Sequence, residues 1–121
     1  MAAGATPTKN DPKWLAQGQL TASDAVLYTA VTSERGTRVT KLMLVNDTTS
    51  NVTVTLWLSH GGGAGVDADL IAKEITIPAD GMPVDIPAAN GIILDADDEI
   101  RGLASTTTQV TYLICGIEMA A

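Results

Sequence analysis

Asp95, Asp97, Asp98 and Glu99 place four carboxylates in five consecutive residues. Such oxygen-rich groups can ligate Ca²⁺, but an EF-hand loop also needs a glycine at its sharp turn and a distant bidentate glutamate. This segment lacks that spacing, so it reads as a solvated turn, with the four residues kept as weak candidate cation ligands. His60 is the single histidine. A general base needs a nucleophile and an orienting partner, and no spacing singles out Ser33, Ser59 or Asp67 for those roles. A cupin-type metal site, which needs two or more histidines, fails on the same count. The glycines of 61–65 invite a phosphate, yet no Lys-Ser/Thr pair and no helix follow them. They read as a mobile loop that settles against a neighbour. Cys115 lies among Leu113, Ile114 and Ile117 with no charge beside it to lower its pKa, and reads as a small buried hydrophobe. No cofactor, resident metal or catalytic group is expected, and the chain reads as a non-enzyme.

The 121 residues suit one domain, and a hydrophobic share of 45% can supply its core. Phe is absent and only Trp14, Tyr28, Trp57 and Tyr112 are aromatic, so that core must be aliphatic with two or three aromatic plugs. Fourteen acidic against 7 basic residues give a net charge of −7. Phosphate binding needs clustered Lys and Arg, and here they are scattered singly, which argues against nucleic acid. No apolar stretch is long enough for a membrane helix, and residues 1–13 lack the apolar segment of a secretory signal. One cysteine cannot form an internal disulfide, and synthesis in a reducing cytoplasm is expected.

The elements that must carry these residues are strands. Residues 1–16, polar and Pro-containing, read as an extended N-terminal arm, and residues 17–121 as the folded domain. Short β-type runs follow at 25–31, 38–46, 51–59, 70–77, 84–86, 92–94, 99–104 and 109–118, each bounded by turn residues. In 51–59, Val52, Val54, Leu56 and Leu58 alternate with Thr53, Thr55 and Trp57. Segment 38–46 is apolar on both faces and reads as a central strand. The polar link Asp47-Thr48-Thr49-Ser50 predicts that these two runs pair as a hairpin. The count gives an all-β, about eight-stranded antiparallel β-sandwich, jelly-roll-like, with immunoglobulin-like topology left open.

Trp57 falls on the threonine face, so either a second sheet covers it or it is an exposed anchor. Trp14 and Leu15, just after the polar start, are placed to pin that segment to a surface. With Pro7, Pro12, His60, Gly62 and Gly63 these are the interface candidates.

The order of segments resembles a group of small virion proteins of tailed bacteriophages. The resemblance runs through Leu27-Tyr28-Thr29, Gly36-Thr37, Leu44-Val45-Asn46, the Val52 to Leu58 ladder and the glycine loop. It continues through the Ile77 to Gly81 turn, the acidic turn and the final Val110 to Ile117 strand, covering roughly residues 17–118. It implies a β-sandwich accessory protein of the virion, made in the bacterial cytoplasm. The expected role is a decoration or cement protein that binds and stabilises an assembled capsid lattice through arm, loops and sandwich surface. Its partners would be the major capsid protein or other virion proteins, and it would be a homo-oligomer, dimer or trimer. The alternative is a tail- or fibre-associated structural or carbohydrate-binding module.

Overall fold

The computed structural model describes residues 11–30, 36–106 and 109–119. Among them are nine strands: β1 (Asp11–Gln19), β2 (Ala25–Thr29), β3 (Gly36–Asn46), β4 (Val52–Ser59), β5 (Leu70–Ile77), β6 (Pro83–Asp85), β7 (Ile93–Leu94), β8 (Glu99–Ala104) and β9 (Val110–Met119). Short 3₁₀ turns occupy Asp67–Asp69 and Pro87–Ala89. Sheet I has the order β1-β9-β3-β6, with β7 also paired to β3, and sheet II the order β2-β8-β4-β5. Between β6 and β7 the backbone keeps bonding to β3, through Ile86 N to Leu42 O at 2.9 Å and Val39 N to Ile92 O at 2.9 Å. β6 and β7 therefore act as one interrupted edge strand, and the nine segments fill eight strand positions.

The pairings are nested: β4 with β5, β3 with β6 and β7, β2 with β8, and β1 with β9, all antiparallel. Rolling such a nested set so that alternate pairs fall in alternate sheets produces the jelly roll. This settles the topology that periodicity left open.

It also corrects the expected hairpin. β3 and β4 lie in different sheets, so the link between them is a corner across the sandwich. The buried side chain of Asn46 makes that corner. Its Nδ2 donates to Ser50 O at 2.7 Å and Ile77 O at 3.1 Å. Its Oδ1 accepts from Thr48 N at 3.1 Å and Thr48 Oγ1 at 2.7 Å. A short polar link between apolar runs suits a tight turn or a corner equally well, and the inward amide selects the corner.

The arm expected over 1–16 divides. Residues 11–16 belong to β1, which pairs along β9 from Asp11 opposite Glu118 to Gln19 opposite Thr111. Pro7 and the rest of 1–10 lie outside the described residues. Pro12 is tolerated because β1 is an edge strand, where one N–H has no ladder partner to lose.

The core between the sheets is aliphatic, as its composition requires. Leu42, Leu44, Val54, Leu56, Ile77, Leu94, Ile100 and Ile114 have no exposed surface, each contributing about 1.5–3 kcal/mol by burial. Tyr28 is the buried aromatic, and its hydroxyl bonds to Thr37 Oγ1 at 2.9 Å and Glu118 at 3.4 Å. Glu118 is buried and also pairs with Lys13, which ties β1 to the end of β9.

Bulges decide which side chains face outward. β1 and β3 each insert one extra residue against β9 on either side of Cys115, Leu15 opposite Ile114–Cys115 and Thr40 opposite Cys115–Gly116. An extra residue reverses the alternation beyond it. Val39 and Leu42, three apart, can then both point inward, while Lys41 turns out. Gly116 is fixed by this arrangement, since a Cβ there would lie 2.5 Å from Arg38 O and 2.7 Å from Leu15 Cδ1.

Candidate interaction surfaces

The outer face of sheet II is polar, and the glycine loop is strapped across it. Gly61 N donates to Asp98 Oδ1 at 2.9 Å, Ser59 Oγ to Gly63 O at 2.8 Å, and Gly65 N to Asp24 Oδ2 at 2.7 Å. The other oxygen of Asp24 takes Arg101 Nε at 2.8 Å, and Arg101 reaches Glu99 at 2.7 Å. Those two carboxylates hold the Arg101 guanidinium above its ordinary pKa. Gly65 lies flat on Trp57, with no room for a Cβ, which would sit 2.3 Å from Cδ2 of the indole. Trp57 is thus half-buried beneath its own loop, a cover that is neither a second sheet nor a partner. Gly61, Gly62 and Gly63 adopt φ of 72, 88 and 106, the left-handed region where glycine carries no Cβ penalty.

The acidic turn is structural in its bonding. Burial pushes the Asp98 carboxyl up, but the N–H groups of Gly61 and Asp95 together with the His60 ring bring it below the usual carboxylate range. Asp98 N in turn reaches Asp95 O at 3.0 Å, and Asp97 takes φ of 71 in the turn so closed. Asp98 and Glu99 are committed to Gly61, Asp95 and Arg101, while Asp95 and Asp97 point to solvent. Among the described residues no group of three or more His, Cys, Asp and Glu is placed to hold a metal ion.

His60 is exposed, with Nδ1 3.3 Å from Asp98 Oδ2. The neighbouring Ser59 hydroxyl donates to Gly63 O. An imidazole beside a carboxylate with its nearest hydroxyl turned to a carbonyl is a loop anchor. His60 and Asp69 also border a cavity of about 350 Å³ with apolar walls from Leu58, Ile71 and Ile92.

The outer face of sheet I has the opposite character. By register, Trp14 and Gln17 of β1, Leu113, Cys115 and Ile117 of β9, and Arg38, Lys41, Met43 and Val45 of β3 point away from the core. Trp14 is 69% exposed and Ile93 of β7 is 49% exposed. A depression of about 210 Å³ lies on this face, bordered by Trp14 and Gln17 on one side and Met43, Val45 and Leu113 on the other. Of the interface candidates, Pro12 and Trp14 lie outward here. Leu15 turns inward at the bulge and packs against the core, while His60, Gly62 and Gly63 belong to the strapped loop on the other sheet. Sequence reasoning misses Met43, Val45, Leu113 and Ile117, because a strand that is apolar on both faces reads as covered on both. They are open because, among the described residues, no third layer lies over sheet I.

The chain is therefore a jelly-roll sandwich with one strapped polar face and one open apolar face. No family model matches it, and no curated protein or solved structure matches it either.

Proposed function

We propose that this chain is a non-enzymatic structural protein that acts by burying surface against other protein. Specifically, it is a virion protein of a tailed bacteriophage that binds and stabilises an assembled capsid lattice. The observation that carries the packing role is the apolar outer face of sheet I, with Trp14 standing on it. Contiguous apolar surface of this kind marks protein contact sites, and aromatic residues are enriched where interface energy concentrates. The virion assignment draws on the segment order described above. A rigid sandwich repeated over a shell needs no tight single site, because many modest contacts add through avidity. The bonds of His60, Ser59 and the acidic turn support a structural part for the residues that first invite chemistry.

The test is a copy count on purified particles made by the genome that encodes the chain, by quantitative mass spectrometry. Copies of the order of the capsid subunit number support the lattice role. A handful per particle moves the protein to a tail or fibre, and none at all overturns the virion reading.

A further inference from the structure

We infer that the outer face of sheet I is covered by a second copy of this chain, stacked face to face about a twofold axis. The inference rests on the reading of this face as an interface and adds the identity of its occupant.

Charge is the first argument. The chain carries a net charge of −7, so two copies repel through most of their surface. Among the described residues, acidic side chains are sparse on the outer face of sheet I. Asp85 of β6, opposite Met43, is the outward carboxylate there, set against outward Arg38 and Lys41. The carboxylates of Asp24, Asp69, Glu74, Asp98 and Glu99 belong to sheet II and its loops. This is the face on which an acidic protein can approach itself.

Self-complementarity is the second. An isologous interface must match its own patch after a half-turn. In the strand register, Trp14, Cys115 and Lys41 share one level, and Gln17, Leu113, Met43 and Asp85 share the next outward level. A twofold axis running across the strands between these two levels exchanges them. It brings each Trp14 over the depression beside the partner's Gln17 and Leu113. The same operation brings each Lys41 to the level of the partner's Asp85, one strand spacing of about 4.8 Å away laterally. One symmetry operation therefore seats the exposed indole in the apolar depression and pairs the face's opposite charges.

Area is the third. Four strand positions at about 4.8 Å spacing and about seven residues at about 3.3 Å rise give a patch of about 400–500 Å² per copy. Stacking two buries about 1,000 Å² in total, the size at which specific interfaces begin. The dimer is accordingly expected to be reversible, with a dissociation constant of the order of micromolar.

Sedimentation equilibrium of the full chain across a wide concentration range tests this. A monomer–dimer equilibrium is expected, weakened by about tenfold or more in Trp14→Ser and in Leu113→Lys, and unchanged in Thr76→Lys on the outer face of sheet II. Lys41→Glu and Asp85→Lys should each weaken the dimer, and the double exchange should restore it. Circular dichroism and urea midpoints of each variant separate loss of dimer from loss of fold. A chain that stays monomeric at high concentration, or a dimer broken by Thr76→Lys and not by Trp14→Ser, overturns the inference. A monomer that still loads onto particles removes the twofold dimer alone, whereas a dimer that never loads removes only the virion assignment.

Discussion

Truncating Asn46 to alanine should cost about 3 kcal/mol, because one amide side chain makes the corner that sends the chain from sheet I to sheet II. It forms four hydrogen bonds, to Ser50 O, Ile77 O, Thr48 N and Thr48 Oγ1. The loss is unequal among them. Ser50 O keeps the Thr48 hydroxyl at 2.9 Å, and half-buried Thr48 can turn to water. Ile77 has no exposed surface, so its carbonyl loses a donor that water cannot replace, at about 1–3 kcal/mol. The remaining bonds add about 1 kcal/mol together after re-solvation. Asn46→Asp should be worse, since it keeps the acceptor toward Thr48 and sets a negative charge against two carbonyl oxygens. Its deficit should shrink as pH falls, because protonating the new carboxyl restores a donor. Urea unfolding followed by circular dichroism measures this: with m of about 1–3 kcal/mol/M, the Asn46→Ala midpoint should drop by about 1–3 M at unchanged m. Asp47→Ala, one residue along and exposed, should move it little. If Asn46→Ala and Asp47→Ala shift the midpoint equally, the corner is held by something other than this amide.

Three further outcomes follow from the geometry. Gly65→Ala cannot fit its Cβ over the Trp57 ring; in a Trp14→Phe background, Trp57 emission should shift red and acrylamide quenching rise, and unchanged quenching would show that the loop does not cover the indole. Gly116→Ala forces a Cβ against Arg38 O and Leu15 between two bulged strands, and should cost about 2–3 kcal/mol in urea unfolding; a loss below about 1 kcal/mol would mean that the backbone yields there. The folded-state pKa of Asp98 lies below the ordinary carboxylate value, so its stabilisation is present above about pH 4 and lost as pH falls through the depressed value. The stability gap between wild type and Asp98→Asn should therefore close in acid, and a gap constant down to pH of about 2 would remove Asp98 as the loop's anchor.

Strands are legible in the sequence wherever alternation meets clear punctuation. Segments 70–77 and 99–104 match β5 and β8 in full, being bounded by the glycine loop, Pro78 and the acidic turn. β1 is hidden because Pro12, Gln17, Gly18 and Gln19 carry little strand signal, and its pairing partner β9 lies about a hundred residues away in the chain. The β3–β4 hairpin fails for a related reason: loop length reports that two strands follow each other, and long-range burial decides whether they share a sheet. Bulges at Leu15 and Thr40 break strict alternation, so a strand that reads as apolar on both faces has one face in the core and one in the open. Of the candidate site, Trp14 is legible as an isolated aromatic beside a polar segment. The Asp24–Arg101 clamp, spanning 77 residues of sequence separation, leaves no local trace.

The nested pairing also constrains when the molecule can form during synthesis. β8 lies between β2 and β4, and β9 between β1 and β3, so one of the two inner strands of each sheet is among the last to leave the ribosome. Until β8 and β9 have emerged, β1 and β2 have no ladder to join and β3 and β4 are each paired along one edge alone, so Leu42, Leu44 and Leu56 lack part of their cover. Acquisition of the fold is thereby deferred until translation has passed β9, which makes nascent and C-terminally shortened chains targets for chaperones and proteases.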